Sequence, residues 1–211
     1  MESKSYIKYV TLFNERQYSK KWIECDEFVE KICYNLRIGL LPFLPENALD
    51  EVVAMIKKYP ICVQIETPRK KRRGAYQKAV DKTNHIIYIN NNLDNEEFLD
   101  VFLHEYAHLI QELTFLRSPW HDWEFAFCLK KLKDCFVKKN IIAENRVHMN
   151  TEFLFLLEKI RFGVTFKYKG NVYKKVLFND KKIHCKLLSS DNTILELEPD
   201  TLVEPVLDLQ W

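Results

Sequence analysis

The stretch Leu103-His104-Glu105-Tyr106-Ala107-His108-Leu109 places two histidines four residues apart, with a glutamate directly after the first. Residues four apart project from the same side of an α-helix, so both imidazoles can reach one ion. In zinc sites with this spacing, the glutamate leans toward a metal-bound water. We therefore predict one Zn²⁺ ion held by His104 and His108, with Glu105 as the general base.

The residues around this stretch predict the helix that carries it. Asp94-Asn95-Glu96-Glu97 combines a capping residue with an acidic residue three positions later, a pattern typical of a helix start. At about 100° per residue, the apolar residues form one stripe, and both histidines fall nearly opposite it. The stripe consists of Leu99, Phe102, Tyr106, Leu109 and Leu113, flanked by Phe98, Leu103 and Ile110. A helix buried along this stripe would present the histidines to a cleft; the alternative is a histidine pair that binds no metal.

A third ligand is expected shortly downstream, in the segment Ser118-Pro119-Trp120-His121-Asp122-Trp123-Glu124-Phe125. Ser118 can cap a second helix with Pro119 at its first position, where the missing N–H costs nothing. This start would place His121 in the first turn of the helix. Glu124 lies three residues later on the same face, and is the rival third ligand.

Composition and charge narrow the class of protein. The 211 residues are 47% hydrophobic and carry a net charge of +2, which excludes a disordered chain and gives no bulk attraction to nucleic acid. The chain is long enough for one sizeable core with a small additional module. We find no secretion signal and no apolar run that could cross a bilayer. The 6 cysteines lack Cys-x-x-Cys spacing, so we expect free thiols and a cytoplasmic protein that does not contact membranes.

The remaining patterns predict a mixed α+β fold. Apolar residues recur at helical spacing in Lys20 to Leu36, Glu46 to Tyr59 and Glu152 to Arg161, which predicts three further helices. The β-branched runs Ile61 to Ile65 and His85 to Ile89 predict strands. The first of these helices either packs on the core, which we expect, or forms a partner surface.

From Gly163 onward, the sequence pattern changes from helical spacing to short strand-like runs. Four short apolar runs separated by turn-forming residues predict a small antiparallel sheet. They cover residues 166–168, 172–177, 183–188 and 193–197. We therefore divide the chain into an N-terminal helical extension packed on the core (1–40), a central domain that carries the histidines (41–162) and a C-terminal β module (163–211).

Two basic segments are candidates for contact with an acidic partner. Arg69, Lys70, Lys71, Arg72 and Arg73 are consecutive and repel one another, which predicts an exposed loop. This loop is either a solvated turn or a phosphate-binding surface. The cations of the second segment are Arg161, Lys167, Lys169, Lys174, Lys175, Lys181, Lys182 and Lys186. These residues of the tail either bind nucleic acid or protect strand edges.

Residues 41 to 139 resemble the SprT-like zinc metallopeptidases, the group that includes Spartan. The matching pieces are Arg73-Gly74-Ala75-Tyr76, the strand Ile86 to Asn90, Phe102 to His108 and Trp120 to Phe125. The resemblance implies a zincin-like catalytic domain, built of a small sheet and the active-site helix, and makes His121 the third zinc ligand. The chain departs from the family at Asp122, where glycine is frequent, and has no cysteine-rich zinc ribbon. Its tail instead resembles the small β module of a bacterial subgroup.

The function that this resemblance implies is that of a zinc metalloendopeptidase. Zinc on His104, His108 and His121 would activate a water, and Glu105 would take a proton from it and return the proton to the leaving amine. The expected partner is a protein or peptide substrate, and the resemblance to Spartan suggests proteins associated with DNA. The alternative is a nucleic-acid-binding protein with a structural or inactive zinc site, in which the basic loop is the contact surface.

Three further elements are candidates for contact with the substrate. Tyr76 and His148 are polar residues that could stabilise the transition state. The strand Ile86 to Asn90 is either a sheet edge that aligns an extended peptide or a buried central strand.

Overall fold

The computed structural model describes residues 8–10, 33–34, 36–59, 61–68, 72–79, 85–115, 121–144, 153–179, 181–189 and 193–207. The protein is α+β, as predicted, with helices and two β-sheets. It divides into two compact units. The first comprises the described residues up to Leu109 together with Cys135–Ala143, and the second comprises those of Ile110–Asp134 and Glu144–Gln210. In the described ranges, no helix combines the length and apolar character needed to cross a membrane.

The first unit contains a four-stranded sheet. Its strands are β1 (Lys8–Val10), β2 (Cys62–Glu66), β3 (Gly74–Gln77) and β4 (Ile86–Asn90), in the order β1-β2-β4-β3. β2 and β4 run parallel, and the other two pairs are antiparallel. The strands predicted around Ile61 and His85 are therefore confirmed.

The position of β4 decides between the two alternatives left open for it. β4 is hydrogen-bonded to β2 on one side and to β3 on the other, so it is an internal strand. The idea that β4 is the edge for substrate is wrong, because its backbone is already paired on both sides. Among the described strands, β3 is the last one on that side.

Helix α1 (Glu46–Lys58) confirms the helix predicted from Glu46. It follows a turn at residues 41–44, with Pro45 as its N-terminal flanking residue. One face of α1 is buried, through Ala48, Leu49, Val52, Val53, Met55 and Ile56. Of the helix predicted from Lys20 to Leu36, residues 33–34 and 36 are helical, and the helix continues to residue 40. The rest of it, residues 20–32 and 35, lies outside the described residues.

Helix α2 (Asn95–Thr114) carries the His-Glu-x-x-His stretch. The predicted cap is confirmed, since the Glu97 N–H donates to Asp94 Oδ1 at 2.8 Å. The predicted stripe is buried except at Leu113, which is only half-buried. Tyr106 is fully buried, and its hydroxyl lies 2.8 Å from the carbonyl oxygens of both Met55 and Tyr59. Tyr106 therefore attaches α2 to the end of α1 and is a core residue, as expected.

Helix α3 (Trp123–Lys138) begins later than predicted. Asp122 caps it, because Asp122 Oδ1 accepts from the N–H groups of Glu124 at 3.1 Å and Phe125 at 3.2 Å. His121 therefore precedes the helix, and its expected place in the first helical turn is wrong. The predicted capping pair Ser118 and Pro119 lies outside the described residues. An aspartate is as good a cap as a serine, so a helix start at Asp122 is as compatible with the sequence as the predicted start at Ser118.

The second unit contains a six-stranded antiparallel sheet. Its strands are β5 (Phe155–Leu156), β6 (Thr165–Tyr168), β7 (Asn171–Asn179), β8 (Lys182–Leu187), β9 (Ile194–Leu197) and β10 (Leu202–Val206), in the order β5-β10-β6-β7-β8-β9. The four-strand meander predicted for the tail is β6 to β9. The β6–β7 turn has positive φ at both Lys169 and Gly170, as a tight hairpin turn requires.

The helix predicted from Glu152 to Arg161 is wrong. This segment instead contains β5 and a single 3₁₀ turn, Leu157–Lys159. The reason is pairing with a distant strand, because Phe155 and Leu156 are aligned with Val203 and Leu202 of β10. Strand pairing of this kind leaves no trace in local periodicity.

The prediction that Lys175 belongs to the exposed cations of the tail is wrong. Its side chain is buried at 3% exposure, and its ammonium donates to the carbonyl oxygens of Leu157 at 2.9 Å and Ile160 at 2.6 Å. The Glu158 carbonyl oxygen lies 3.4 Å away. Burial lowers the pKa of the Lys175 amine, while Cys185 and Glu158 act in the opposite direction. Lys175 thus holds the 3₁₀ turn against β7.

Substitution of Lys175 tests this structural role. Lys175→Met keeps the length of the side chain but leaves buried carbonyl oxygens without their donor. We expect the free energy of unfolding to fall by about 2 kcal/mol. Its exposed neighbour Lys174 is the matched control, and Lys174→Met should change stability by less than about 0.5 kcal/mol. Denaturant titration of both variants checks this, and equal effects would contradict the assignment.

Candidate metal centre

Three histidines come together in the structure. His104, His108 and His121 each offer one ring nitrogen, and these nitrogens all lie within 4.8 Å of one another. Nitrogens bound tetrahedrally to zinc are about 3.4 Å apart, so modest adjustment of the rings brings all three onto one ion. Three neutral imidazoles are also a donor set that suits zinc and similar ions. This group can hold a metal ion, and Glu124, the rival ligand, is not part of it.

The histidines differ in how far they are exposed. His104 is half-buried, His108 is buried, and His121 is exposed. The His104 and His108 rings meet edge to face, with their centroids 5.4 Å apart. The His121 ring meets the ring of Phe125 in the same way at 4.7 Å. Exposure of the three side chains therefore rises from His108 through His104 to His121.

Strand β3 lies directly against the polar side of α2. A Cβ atom on Gly74 would lie 2.4 Å from Val101 Cγ1 and 3.2 Å from Glu105 Cγ. Only glycine fits at this position, because the strand backbone touches the helix there. The ring of Tyr76, two residues along β3, stacks on the His108 ring with centroids 6.0 Å apart. The sequence-predicted candidate Tyr76 is therefore beside the histidine group.

The hydroxyl of Tyr76 is engaged by a histidine that the sequence patterns did not single out. Tyr76 Oη lies 2.7 Å from His85 Nδ1, and the Ala79 N–H donates to the same nitrogen at 3.3 Å. Because a backbone N–H can only donate, His85 Nδ1 is an acceptor and the Tyr76 hydroxyl donates its proton to it. His85 belongs to no spaced motif; only the pairing of β3 with β4 brings it close to Tyr76.

Glu105 is buried next to the histidines, at 8% exposure. Burial raises the pKa of its carboxyl to about 7, while the backbone N–H of Tyr76 and the charge of Arg72 act to lower it. The same N–H fixes the direction of the carboxylate, because it donates to it from β3. A carboxyl with a pKa near 7 can exchange protons at neutral pH.

Two polar residues of the second unit were also missed by the sequence analysis. Gln111 of α2 is fully buried, and its Nε2 donates to Asp122 Oδ1 at 2.9 Å. In the sequence, Asp122 stands out only as a departure from the glycine that is frequent in the SprT-like family. The preference of aspartate for helix starts could have identified it as a cap, but no local signal pairs it with Gln111.

The other predicted site residues are only partly described. Arg72 and Arg73 are exposed, and Arg73 Nη1 forms an ion pair with Glu97 Oε1 at 2.9 Å. Such an exposed pair contributes little to stability. The remaining loop cations Arg69, Lys70 and Lys71, and the candidate His148, lie outside the described residues. Contact of the loop with nucleic acid stays a prediction.

Comparisons of the chain with protein-family models, curated proteins and solved structures give no significant match. The resemblance to SprT-like peptidases therefore rests on the quoted motifs, and the function has to be argued from the site itself.

Because Glu105 is buried, we expect its ionisation to lower the free energy of unfolding of the metal-free protein by an amount that depends on pH. Its pKa is about 7 in the folded protein against 4.5 as the ordinary value, so burial costs nothing below pH 4.5 and destabilises increasingly as pH rises to 7. Glu105→Gln stays neutral throughout. In metal-free protein at pH 8 we expect the variant to be more stable than wild type by on the order of 3 kcal/mol, with the gain vanishing near pH 4.5.

Denaturant unfolding of both proteins at the two pH values, with a chelator present, measures this difference. A gain of the same size at both pH values would show that charge burial is not its cause.

Proposed function

We propose that this protein is a zincin-like, SprT-like zinc metalloendopeptidase. His104, His108 and His121 would hold one Zn²⁺ ion, and Glu105 would be the general base. The observation that carries the proposal is the grouping of the three ring nitrogens within 4.8 Å of one another. The buried carboxyl of Glu105 follows His104 directly in the sequence, which places a possible base beside the metal ligands. Bound zinc would supply a water of lowered pKa and polarise the peptide carbonyl.

The environment of Glu105 supports its role as the base. A general base works best when its pKa lies near the working pH. In the metal-free protein burial raises the pKa of Glu105 to about 7, and bound zinc would lower it from there, which favours the ionised form that a base needs. The Tyr76 N–H holds one side of the carboxylate, so the group is oriented before substrate arrives. Glu105 would take a proton from the attacking water and deliver it to the leaving amine nitrogen.

Strand β3 is the element that we propose to align the substrate. Of the described strands it is the last on its side of the sheet, and Gly74 brings it into contact with α2 beside Glu105. An extended peptide that pairs with an edge strand gains backbone hydrogen bonds without regard to sequence. This geometry favours a peptide substrate and replaces the earlier candidate, β4.

Tyr76 remains a candidate for stabilising the transition state, with one condition. Its hydroxyl proton is donated to His85, so it can donate to a developing oxyanion only after that bond is released. While that bond is in place, the Tyr76 ring stays stacked on the ring of His108. His148 stays a candidate on sequence grounds alone.

We place the protein in the cytoplasm as part of the same proposal. In the described segments, Cys62, Cys128 and Cys185 are free thiols. Thiols persist where the compartment is reducing.

The proposal is tested by zinc analysis and peptidase assays on wild type and Glu105→Gln. After metal loading, we expect one zinc per chain in both proteins, and an activity on unstructured protein substrates that falls at least about 100-fold in the variant. His104→Ala should lose zinc and activity together. Wild-type protein without stoichiometric zinc, or full activity in Glu105→Gln, would refute the peptidase assignment.

One observation favours the second candidate, a nucleic-acid-binding protein with a structural or inactive zinc site. Lys174 of β7 lies directly opposite Lys186 of β8, and like charges in this position destabilise a sheet unless an anion lies between them. These two lysines are candidates for phosphate contact, and the exposed Arg72 of the other unit is a separate candidate. Steeply salt-dependent DNA binding that His104→Ala leaves intact, without any peptidase activity, would support this function instead. Proteolysis that is stimulated by DNA would show that the protein has both functions.

A further inference from the structure

His121 is the histidine whose position needs the most explanation. His104 and His108 are fixed by the helix that carries both, whereas His121 precedes the first residue of α3. Its nitrogen must nevertheless stay close to the other two if all three are to bind one ion. The residue that follows it, Asp122, is half-buried and strongly hydrogen-bonded.

Asp122 makes two kinds of contact with one carboxylate oxygen. Its Oδ1 accepts from the backbone N–H groups of Glu124 and Phe125, which fixes the start of α3. The same oxygen accepts from the side-chain amide of Gln111 on α2 at 2.9 Å. One oxygen thus joins the start of α3 to the helix that carries the other two histidines, through bonds strengthened by the negative charge.

Gln111 is in the right place to make this link. It lies seven residues after His104, two helical turns along, and therefore within about 20° of it around the helix axis. It is fully buried, so its amide is kept away from competing water. One side of α2 thus carries His104, His108 and Gln111. Gln111 in turn holds Asp122, the residue that follows His121.

The ring of His121 has a second support. It lies edge-on against the Phe125 ring, with centroids 4.7 Å apart and planes at 87°. Phe125 is buried, and its own N–H is one of the donors to Asp122. The ring of His121 and the side chain of the residue that follows it are therefore both held by α3.

We propose that Gln111 and Asp122 are positioning residues for the third metal ligand, His121. Their hydrogen bond holds the residue next to His121 at a fixed place relative to α2, so the three imidazoles are arranged before an ion arrives. This inference rests on the metal site of the proposed function. It adds that a hydrogen bond between an aspartate and a buried glutamine positions one of the metal ligands. Residues that orient metal ligands in this way typically contribute 10- to 100-fold to metal affinity.

The test measures the Zn²⁺ affinity of the full chain by competition with a chromogenic chelator. Gln111→Met keeps the shape of the side chain but removes the donor. Asp122→Ser retains a capping oxygen for α3 yet is too short to reach Gln111. We expect each variant to bind zinc at least about 10-fold more weakly than wild type. The double variant should be little worse than either single one, because both lose the same bond.

Two further variants separate positioning from general loss of stability. Asp122→Asn keeps an oxygen for both kinds of contact, so we expect its zinc affinity to stay within about threefold of wild type. Asp94→Ala removes the cap at the other end of α2, which lowers stability by a comparable amount but should leave zinc affinity unchanged. The visible spectrum of Co²⁺-loaded protein gives a second readout, and only Gln111→Met and Asp122→Ser should alter it.

The outcomes distinguish this inference from the proposed function. Wild-type protein that binds no zinc overturns both. Wild-type protein that binds one zinc, with Gln111→Met and Asp122→Ser equally tight, overturns the positioning role alone. If Gln111→Met does not fold, the comparison of Asp122→Ser with Asp122→Asn decides, and equal affinities would refute the role of the link.

Discussion

The close contact between strand β3 and helix α2 is the constraint on which the candidate site depends. At Gly74 the strand backbone lies so near the helix that an added methyl group would meet Val101 and Glu105. This approach brings the Tyr76 N–H to the Glu105 carboxylate and the Tyr76 ring to His108. The opposite side of α2 is held by apolar burial and by the bonds of Tyr106 to Met55 and Tyr59. The helix is therefore fixed from both sides, which keeps the direction of its polar residues constant.

Burial of Glu105 on the polar side of α2 has an energetic cost, which is seen in its raised pKa. An ionised carboxylate at 8% exposure is unfavourable, and this penalty raises the pKa of Glu105 to about 7 in the metal-free protein. The cost is partly offset by the N–H of Tyr76 and the charge of Arg72. A metal ion on the neighbouring histidines would offset more of it, because positive charge favours the ionised carboxylate. Metal binding and the charge state of Glu105 are thus coupled.

The sequence predicted the elements whose signal is local. The stripe of α2, its Asp94 cap, the β-branched strands β2 and β4, and the meander β6 to β9 follow from periodicity and turn residues. Within the candidate site, His104, His108 and His121 were identified by spacing and by resemblance to a family, and the structure brings them together.

What could not be predicted depends on contacts between distant parts of the chain. Phe155 and Leu156 look helical until β10 is known to pair with them. Lys175 looks like a surface lysine until the carbonyl oxygens of the 3₁₀ turn are placed around it. His85 and Gln111 have no motif, because their partners Tyr76 and Asp122 are reached only through sheet pairing and helix packing. Local patterns identified the ligands, and the residues that hold them required the three-dimensional structure.

The X-ray absorption spectrum of the zinc-loaded protein measures directly whether one zinc ion is bound by three imidazoles. We expect three nitrogen neighbours at about 2.0–2.1 Å, with the multiple scattering typical of imidazole, and one further light atom. In His121→Ala the number of imidazoles should fall by one. A sulfur neighbour at about 2.3 Å, or an imidazole count that His121→Ala leaves unchanged, would contradict this coordination.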